Sequence, residues 1–260
     1  MKNSILYYTK KLCLCLADLI LPRKCIVCDE KLGLDEEHLC THCSSDMPLT
    51  RFWQLKHNRM ADRFNEGIQK LLEARWATDG RASGPHERYA YAAALFFFND
   101  DADYKRIPYD IKYEGNIQAG RYFGTLLGHE IATAGWLSDI DAIIPVPLHW
   151  RRRWKRGYNQ AEVIAKGISE ALDIPVSTDI LKRHRYTRTQ IRLSITEKAG
   201  NVAGSFSVIP GSYEGIRHIL LVDDVFTTGS TLLACFTALR KVFPPDVRIS
   251  VATLGFVGRA

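Results

Sequence analysis

The stretch ILLVDDVFTTGSTL, Ile219–Leu232, reads as a buried strand that turns into a helix. The apolar run Ile219–Val222 suits a strand covered on both faces. Two carboxylates, Asp223 and Asp224, follow at its C-terminal end, and Val225 continues the chain. Thr227-Thr228-Gly229-Ser230-Thr231 then leads into a helix expected over Ser230–Val242. A glycine-containing turn at a helix N-terminus presents several backbone N–H groups and a positive dipole end to one phosphate. The threonine and serine hydroxyls add donors. The acid pair can accept hydrogen bonds from ribose hydroxyls and offers oxygen ligands to Mg²⁺. Ligands of open α/β sheets sit at strand C-termini, where this turn would lie. A plain capped helix, with Thr228 or Ser230 as N-cap, is the simpler alternative. Two acids, two threonines and a glycine within Asp223–Gly229 favour a site for a phosphorylated sugar.

The flanking sequence alternates strands and helices. Tyr89–Phe98 reads as a strand ending at Asn99-Asp100-Asp101, and Ile117–Ala134 as a helix. Asp141–Val146 is a short buried strand. Asn159–Leu172 is a helix with Asn159 as its cap, and Ile180–Lys182 a short strand. Val247–Phe256 is the final strand. This order predicts an α/β fold with a mostly parallel sheet and flanking helices. Residues 51–88 read as an irregular linker or insertion, with helical periodicity over Phe64–Trp76 and a turn-rich tip at Ala77–Pro85. The expected organisation is therefore an N-terminal module over 1–50, a linker or insertion over 51–88, and the α/β domain over 89–260.

Composition agrees with a folded chain. Of 260 residues, 46% are apolar and 25% charged. The net charge of +6 points toward an anionic ligand or partner without naming one. No apolar run reaches 18 residues, so no transmembrane helix is expected. Ile5–Leu21 reads as an amphipathic helix rather than a signal peptide, because Asp18 interrupts it and no small-residue cleavage site follows.

Four of the seven cysteines form two C-x-x-C pairs, Cys25 with Cys28 and Cys40 with Cys43. Each pair lets two thiolates bind one ion, and two pairs close a tetrahedron, so the expected metal is structural zinc. An iron–sulfur site or a redox dithiol is the alternative. Such spacing belongs to a reducing compartment, so a cytoplasmic protein is expected. Cys13, Cys15 and Cys235 sit in apolar stretches and read as buried hydrophobes.

His149–Gln160 is the most basic segment. Arg151, Arg152, Arg153, Lys155 and Arg156 fall within six residues, with Trp150 and Trp154 interleaved. Cations and aromatic rings together suit single-stranded nucleic acid. They suit a small pyrophosphate ligand equally well. A solvated basic loop is the bland alternative.

Several of these pieces together resemble one family. Val222–Thr231 is similar to the phosphoribosyl-pyrophosphate (PRPP) signature of type I phosphoribosyltransferases. The two cysteine pairs, Ile111-Lys112-Tyr113-x-Gly115, Pro145–His149, Arg156–Gln160, Thr189-Gln190-x-x-Leu193-Ser194 and Asn201 occur in an order that resembles the ComF family of competence proteins. The resemblance implies a phosphoribosyltransferase-type sheet behind a zinc ribbon. It implies PRPP with Mg²⁺ at Asp223, Asp224, Val225 and Thr227–Thr231. It places Pro147 and Leu148 at the pyrophosphate end and Lys112 as a nearby cation. It also implies a closing loop near Arg183–Ser194, single-stranded DNA as a partner, and contacts with competence machinery. Three functions stay open: a competence factor that handles single-stranded DNA, an active phosphoribosyltransferase of nucleotide metabolism or salvage, or a structural adaptor, the last least favoured by the loop chemistry.

Overall fold

The computed structural model describes residue 18 and residues 21–99, 103–184 and 204–258. The expected N-terminal helix, Cys13 and Cys15, and most of the polar loop after Arg183, including Thr189, Gln190 and Asn201, lie outside the described residues.

Within the described chain, helix α1 spans Arg59–Thr78 and strand β1 Ala92–Phe98. Helix α2 covers Ile117–Ala132, strand β2 Ala142–Pro145, helix α3 Trp150–Arg156 and helix α4 Gln160–Leu172. Strands β3, Leu181–Arg183, and β4, Phe206–Val208, form an antiparallel pair. Strand β5 runs His218–Phe226, helix α5 Ser230–Leu239 and strand β6 Arg248–Val257. The main sheet is four-stranded in the order β1-β6-β5-β2, and every pair in it is parallel. The chain is thus α/β, with a four-cysteine module ahead of the sheet.

Both faces of the sheet are covered, which is why its strands read as apolar runs rather than alternating ones. Leu220 and Val222 of β5 join Ala252 and Leu254 of β6 in one buried cluster, together with Phe123 and Leu127 of α2 and Ile164 and Ile168 of α4. The cysteine module's Val27, Leu32 and Leu39 belong to the same cluster. Ile219 and Leu221 point the other way, into a second cluster with Phe64 and Ile68 of α1 and Leu232 and Phe236 of α5. Helices α2 and α4 approach very closely: a Cβ on Gly167 would stand 2.2 Å from the Arg121 carbonyl oxygen. Glycine is what permits that separation.

Three local expectations change. Within 51–88 the helical periodicity expected over Phe64–Trp76 extends to a 20-residue helix. Asn58 starts it by accepting from the N–H groups of Met60 and Ala61, while its amide donates to the Ala92 carbonyl at 2.9 Å. The apolar face of the helix then closes over the sheet, an amphipathic solution that a linker reading leaves out. Strand β5 runs four residues beyond Val222, because Asp223 still pairs with Thr253 and Phe226 with Phe256. Asn159 precedes α4 but its side chain caps no helix amide; it donates instead to the Val146 carbonyl at 3.0 Å.

Candidate functional site

The last rungs of β5 and the turn after it build the site. Gly229 holds φ 74° and ψ 0°, the left-handed conformation, and leads into α5. A Cβ there would come within 2.7 Å of the Phe226 ring, so both conformation and space demand glycine. Arg63 of α1 donates to the Thr227 carbonyl at 3.3 Å and lies 5.2 Å over the Phe256 ring, bracing the turn from the second-cluster side. The Thr228 and Ser230 hydroxyls meet at 2.7 Å, and the Ser230 N–H points to Thr228 Oγ1 at 3.4 Å. Among the described residues, no acceptor meets the N–H groups of Gly229, Thr231 and Leu232. These donors stand at the positive end of α5, where an anion is favoured.

A cavity of about 300 Å³ opens beside them. Asp223, Asp224, Val225, Thr227 and Thr231 line one side; Pro147 and Leu148, which follow β2, line another. Lys112, Arg152, Arg156 and Arg183 bring cations to the same space. Lys112 Nζ lies 2.7 Å from Asp224 Oδ2. The Asp224 charge raises the Lys112 amine above its ordinary range, against the opposing effect of burial. Burial, and then the charge of Asp224, push the Asp223 carboxyl up to about 7, although Lys112 and Arg183 pull it down. Two adjacent carboxylates in a confined space thus compete for charge, a pattern found at ligand and metal sites and in structural networks alike.

The basic segment is a helix. His149 starts α3 by accepting the Arg151 N–H at its Nδ1, 3.3 Å away, and Gly157 ends it at φ 80°. The helix divides its cations. Arg152 and Arg156 border the carboxylate cavity, and Lys155 a neighbouring one. Arg153 reaches Glu162 at 3.6 Å, and the Arg151 guanidinium lies 5.2 Å over the Trp150 ring. Trp150 is 64% exposed and Trp154 88%, so neither ring serves the core.

The four cysteines converge as their spacing predicts. Their Sγ atoms all lie within 4.8 Å of one another. Cys28 Sγ and Cys40 Sγ are 3.7 Å apart. A tetrahedron with Zn–S bonds of about 2.3 Å has edges of about 3.8 Å, so the geometry fits structural zinc. Backbone N–H groups of Cys28, Cys40 and Val27 bring Cys25 down to about 7 against the upward push of burial, which favours a thiolate ligand.

Comparison with known proteins agrees with this construction. A family model described as a double zinc ribbon domain matches residues 16–52. The chain is 43% identical over 110 residues to Competence protein F of Haemophilus influenzae, covering 42% of this chain and 48% of that protein. It is 39% identical over 93 residues to DNA utilization protein YhgH of Escherichia coli K12, 35% of this chain and 40% of that protein. Competence protein ComFC of Bacillus subtilis is 33% identical over 90 residues, 35% of this chain and 34% of that protein.

These matches support the resemblance to ComF-type competence proteins with an N-terminal zinc ribbon. They span about half, or less, of the length of these curated relatives. The structure gathers most residues singled out from sequence into one place: Asp223, Asp224, Val225, Thr227, Thr231, Pro147, Leu148 and Lys112 around the carboxylate cavity, and Thr228, Gly229 and Ser230 in the adjoining turn. Of the basic set, Arg152 and Arg156 line that cavity. Arg183, foreseen only as the start of a polar loop, lies at the cavity wall on β3. No helix among the described residues is long and apolar enough to cross a membrane.

Proposed function

We propose that this chain binds PRPP or a closely related phosphorylated ribose with Mg²⁺ and acts in competence or DNA uptake by handling single-stranded DNA. One observation carries the first half. Two carboxylates on the final rungs of a central strand share a cavity with four cations and adjoin unpaired amides that open a helix. In this reading the Gly229, Thr231 and Leu232 N–H groups hold the 5′-phosphate, and Asp223 and Asp224 take the ribose hydroxyls. Asp223 and Asp224 would also hold Mg²⁺, which would offset charge on the ligand's pyrophosphate, with Lys112, Arg152 and Arg156 neutralising the rest.

Calorimetric titration of PRPP tests this. Binding is expected with Mg²⁺ and not with EDTA. Replacing Asp223→Ala together with Asp224→Ala should weaken it at least about 100-fold, the loss of two charge-assisted contacts. Unchanged affinity in that variant would refute the site. The alternative, an active phosphoribosyltransferase, is read from the same samples: pyrophosphate released on adding a panel of nucleobases would show transfer.

The second half rests on α3, whose Trp150 and Trp154 rings stand in solvent among arginines and a lysine. The names of the relatives, a competence protein and a DNA utilization protein, support the same direction. Affinity for a labelled oligothymidine should fall steeply with salt, as condensed counterions are released. The triple variant Arg151→Ala, Arg153→Ala, Lys155→Ala should flatten the slope of log K against log salt by about 2, at roughly 0.7 per lost phosphate contact. A salt-independent affinity would remove the DNA reading.

A further inference from the structure

A second cavity, of about 540 Å³, adjoins the first, and no role assigned so far uses it. Its walls are Phe98, Pro108, Tyr109 and Tyr113, and Lys112, Val225 and Thr227 are common to both spaces. Tyr109 and Tyr113 stand one turn apart across a π-helical turn, Asp110–Glu114, that Gly115 closes at φ 78°. Such turns are rare and recur at functional positions. The two rings lie with centroids 4.8 Å apart and planes at 45°, so they splay open rather than stack flat. Tyr109 is 55% exposed and Tyr113 60%, although a core is close at hand in Ile107 and Ile111, both fully buried. The chain therefore turns its aliphatic residues inward here and leaves its aromatic ones facing solvent.

The surroundings are cationic on both sides. Lys105 and Arg106 border the aromatic cavity. Across Tyr113 a third space, of about 430 Å³, is bordered by Arg152, Lys155 and Arg156. The Arg156 guanidinium lies 5.2 Å over the Tyr113 ring, and the Tyr158 hydroxyl donates to the Ile111 carbonyl, tying the basic helix to the π-turn. Aromatic faces flanked by cations at both ends match a polymer of flat bases joined by phosphates better than they match an apolar peptide. We propose that Tyr109 and Tyr113 form a stacking site for an unpaired nucleobase, with Lys155 and Arg156 meeting the phosphate on one side of it and Lys105 the phosphate on the other, beside Arg106, whose guanidinium is held by Asp29 and the Val27 carbonyl. This rests on the DNA-handling reading above and assigns its base contact to the π-turn rather than to the tryptophans of α3.

The test compares three ligands by fluorescence anisotropy at one low salt concentration: a labelled oligothymidine, an abasic strand of equal length, and, as competitor, thymidine monophosphate. The full chain should bind oligothymidine about 10-fold or more tighter than the abasic strand, the usual worth of base stacking. Tyr109→Leu with Tyr113→Leu should erase that preference and leave abasic binding and its salt slope unchanged. Tyr109→Phe with Tyr113→Phe should keep it, which separates loss of stacking from misfolding. Tyrosine-dependent binding of the monophosphate alone, with strand binding unaffected, would uphold a base site and assign it to free nucleotides. Equal affinity of the leucine variant for oligothymidine and for the monophosphate, relative to the unaltered chain, would overturn the proposal while the DNA reading survives. No strand binding at all would overturn both.

Discussion

Removing zinc, by strong chelation or by Cys25→Ser, is expected to unfold the cysteine module and to loosen the π-turn, while the central sheet persists. The module, some 25 residues between Pro22 and Met47, is too small to bury a sufficient core of its own. Structural zinc contributes on the order of 10 kcal/mol to such units, so its loss exceeds what their apolar contacts supply. The effect should then travel along particular contacts. Tyr104 donates its hydroxyl to the Cys43 carbonyl at 2.8 Å, and Arg106 donates to the Val27 carbonyl at 3.2 Å and pairs with Asp29. Ile107 and Ile111 share a buried cluster with Cys25, Val27 and Cys43. The zinc module is thus the floor on which Lys112 and both tyrosines of the π-turn rest. Hydrogen exchange before and after chelation checks this. Amides of 25–47 and 104–114 should gain exchange together, and those of β5 should keep their protection. Unchanged protection at 104–114 would mean that the zinc module supports nothing beyond itself.

Much of this arrangement was legible in the sequence, and the exceptions share a cause. Two strands of the main sheet stand out because both faces are covered, so Ile219–Val222 and Ala92–Phe98 read as continuous apolar runs. The turn at Gly229 is readable because the residues that make it are local. The cysteine cluster is readable because two short loops impose its ligand geometry. Contacts that depend on tertiary approach were not readable. Arg183 reaches the cavity from β3, which pairs antiparallel with β4, forty residues before the acid it attends. Asn159 sits where a helix cap belongs, yet β2 offers the Val146 carbonyl and takes its amide. The first turn of α1 sets the buried Met60 and Ala61 among Arg59, Asp62 and Arg63, too short an apolar pair to show periodicity before Phe64, although Asn58 is a sound cap signal. Tyr109 and Tyr113 were hidden by Pro108, which reads as a break but sits inside the short helix Arg106–Tyr109 that leads into the π-turn.

Asp223→Asn is expected to make the unliganded protein more stable above neutral pH and to abolish its proposed PRPP·Mg²⁺ binding. An aspartate in the unfolded chain loses its proton near 3.8, whereas Asp223 in the fold is pushed up to about 7 by burial and by Asp224. Between those two values the folded state holds a proton that the unfolded state has released. Stability from this group is therefore greatest at low pH and declines as pH rises toward 7, the reverse of a salt-bridged carboxylate. Above 7 the fold carries a partly desolvated charge beside a second one. Asp223 keeps some exposure to water, which screens it, so the penalty is on the order of 2 kcal/mol rather than the full linkage value. Asparagine removes the charge and keeps the shape. Urea unfolding at about pH 8 should show the variant more stable by roughly that amount, with the gap narrowing as pH falls below about 7 and closing only near about pH 4. Lys112 stays paired with Asp224 in the variant, so its own partner is not lost. An asparagine variant equally stable or less stable at the higher pH would show that Asp223 is not held at cost. A retained penalty marks a residue kept for a ligand, because a carboxylate that weakens the empty fold becomes favourable only when a cation or a ribose hydroxyl arrives to meet it. Binding of PRPP with Mg²⁺ near pH 6.5, or of Mg²⁺ alone, should accordingly release close to one proton, measurable as a dependence of binding heat on the ionisation enthalpy of the buffer.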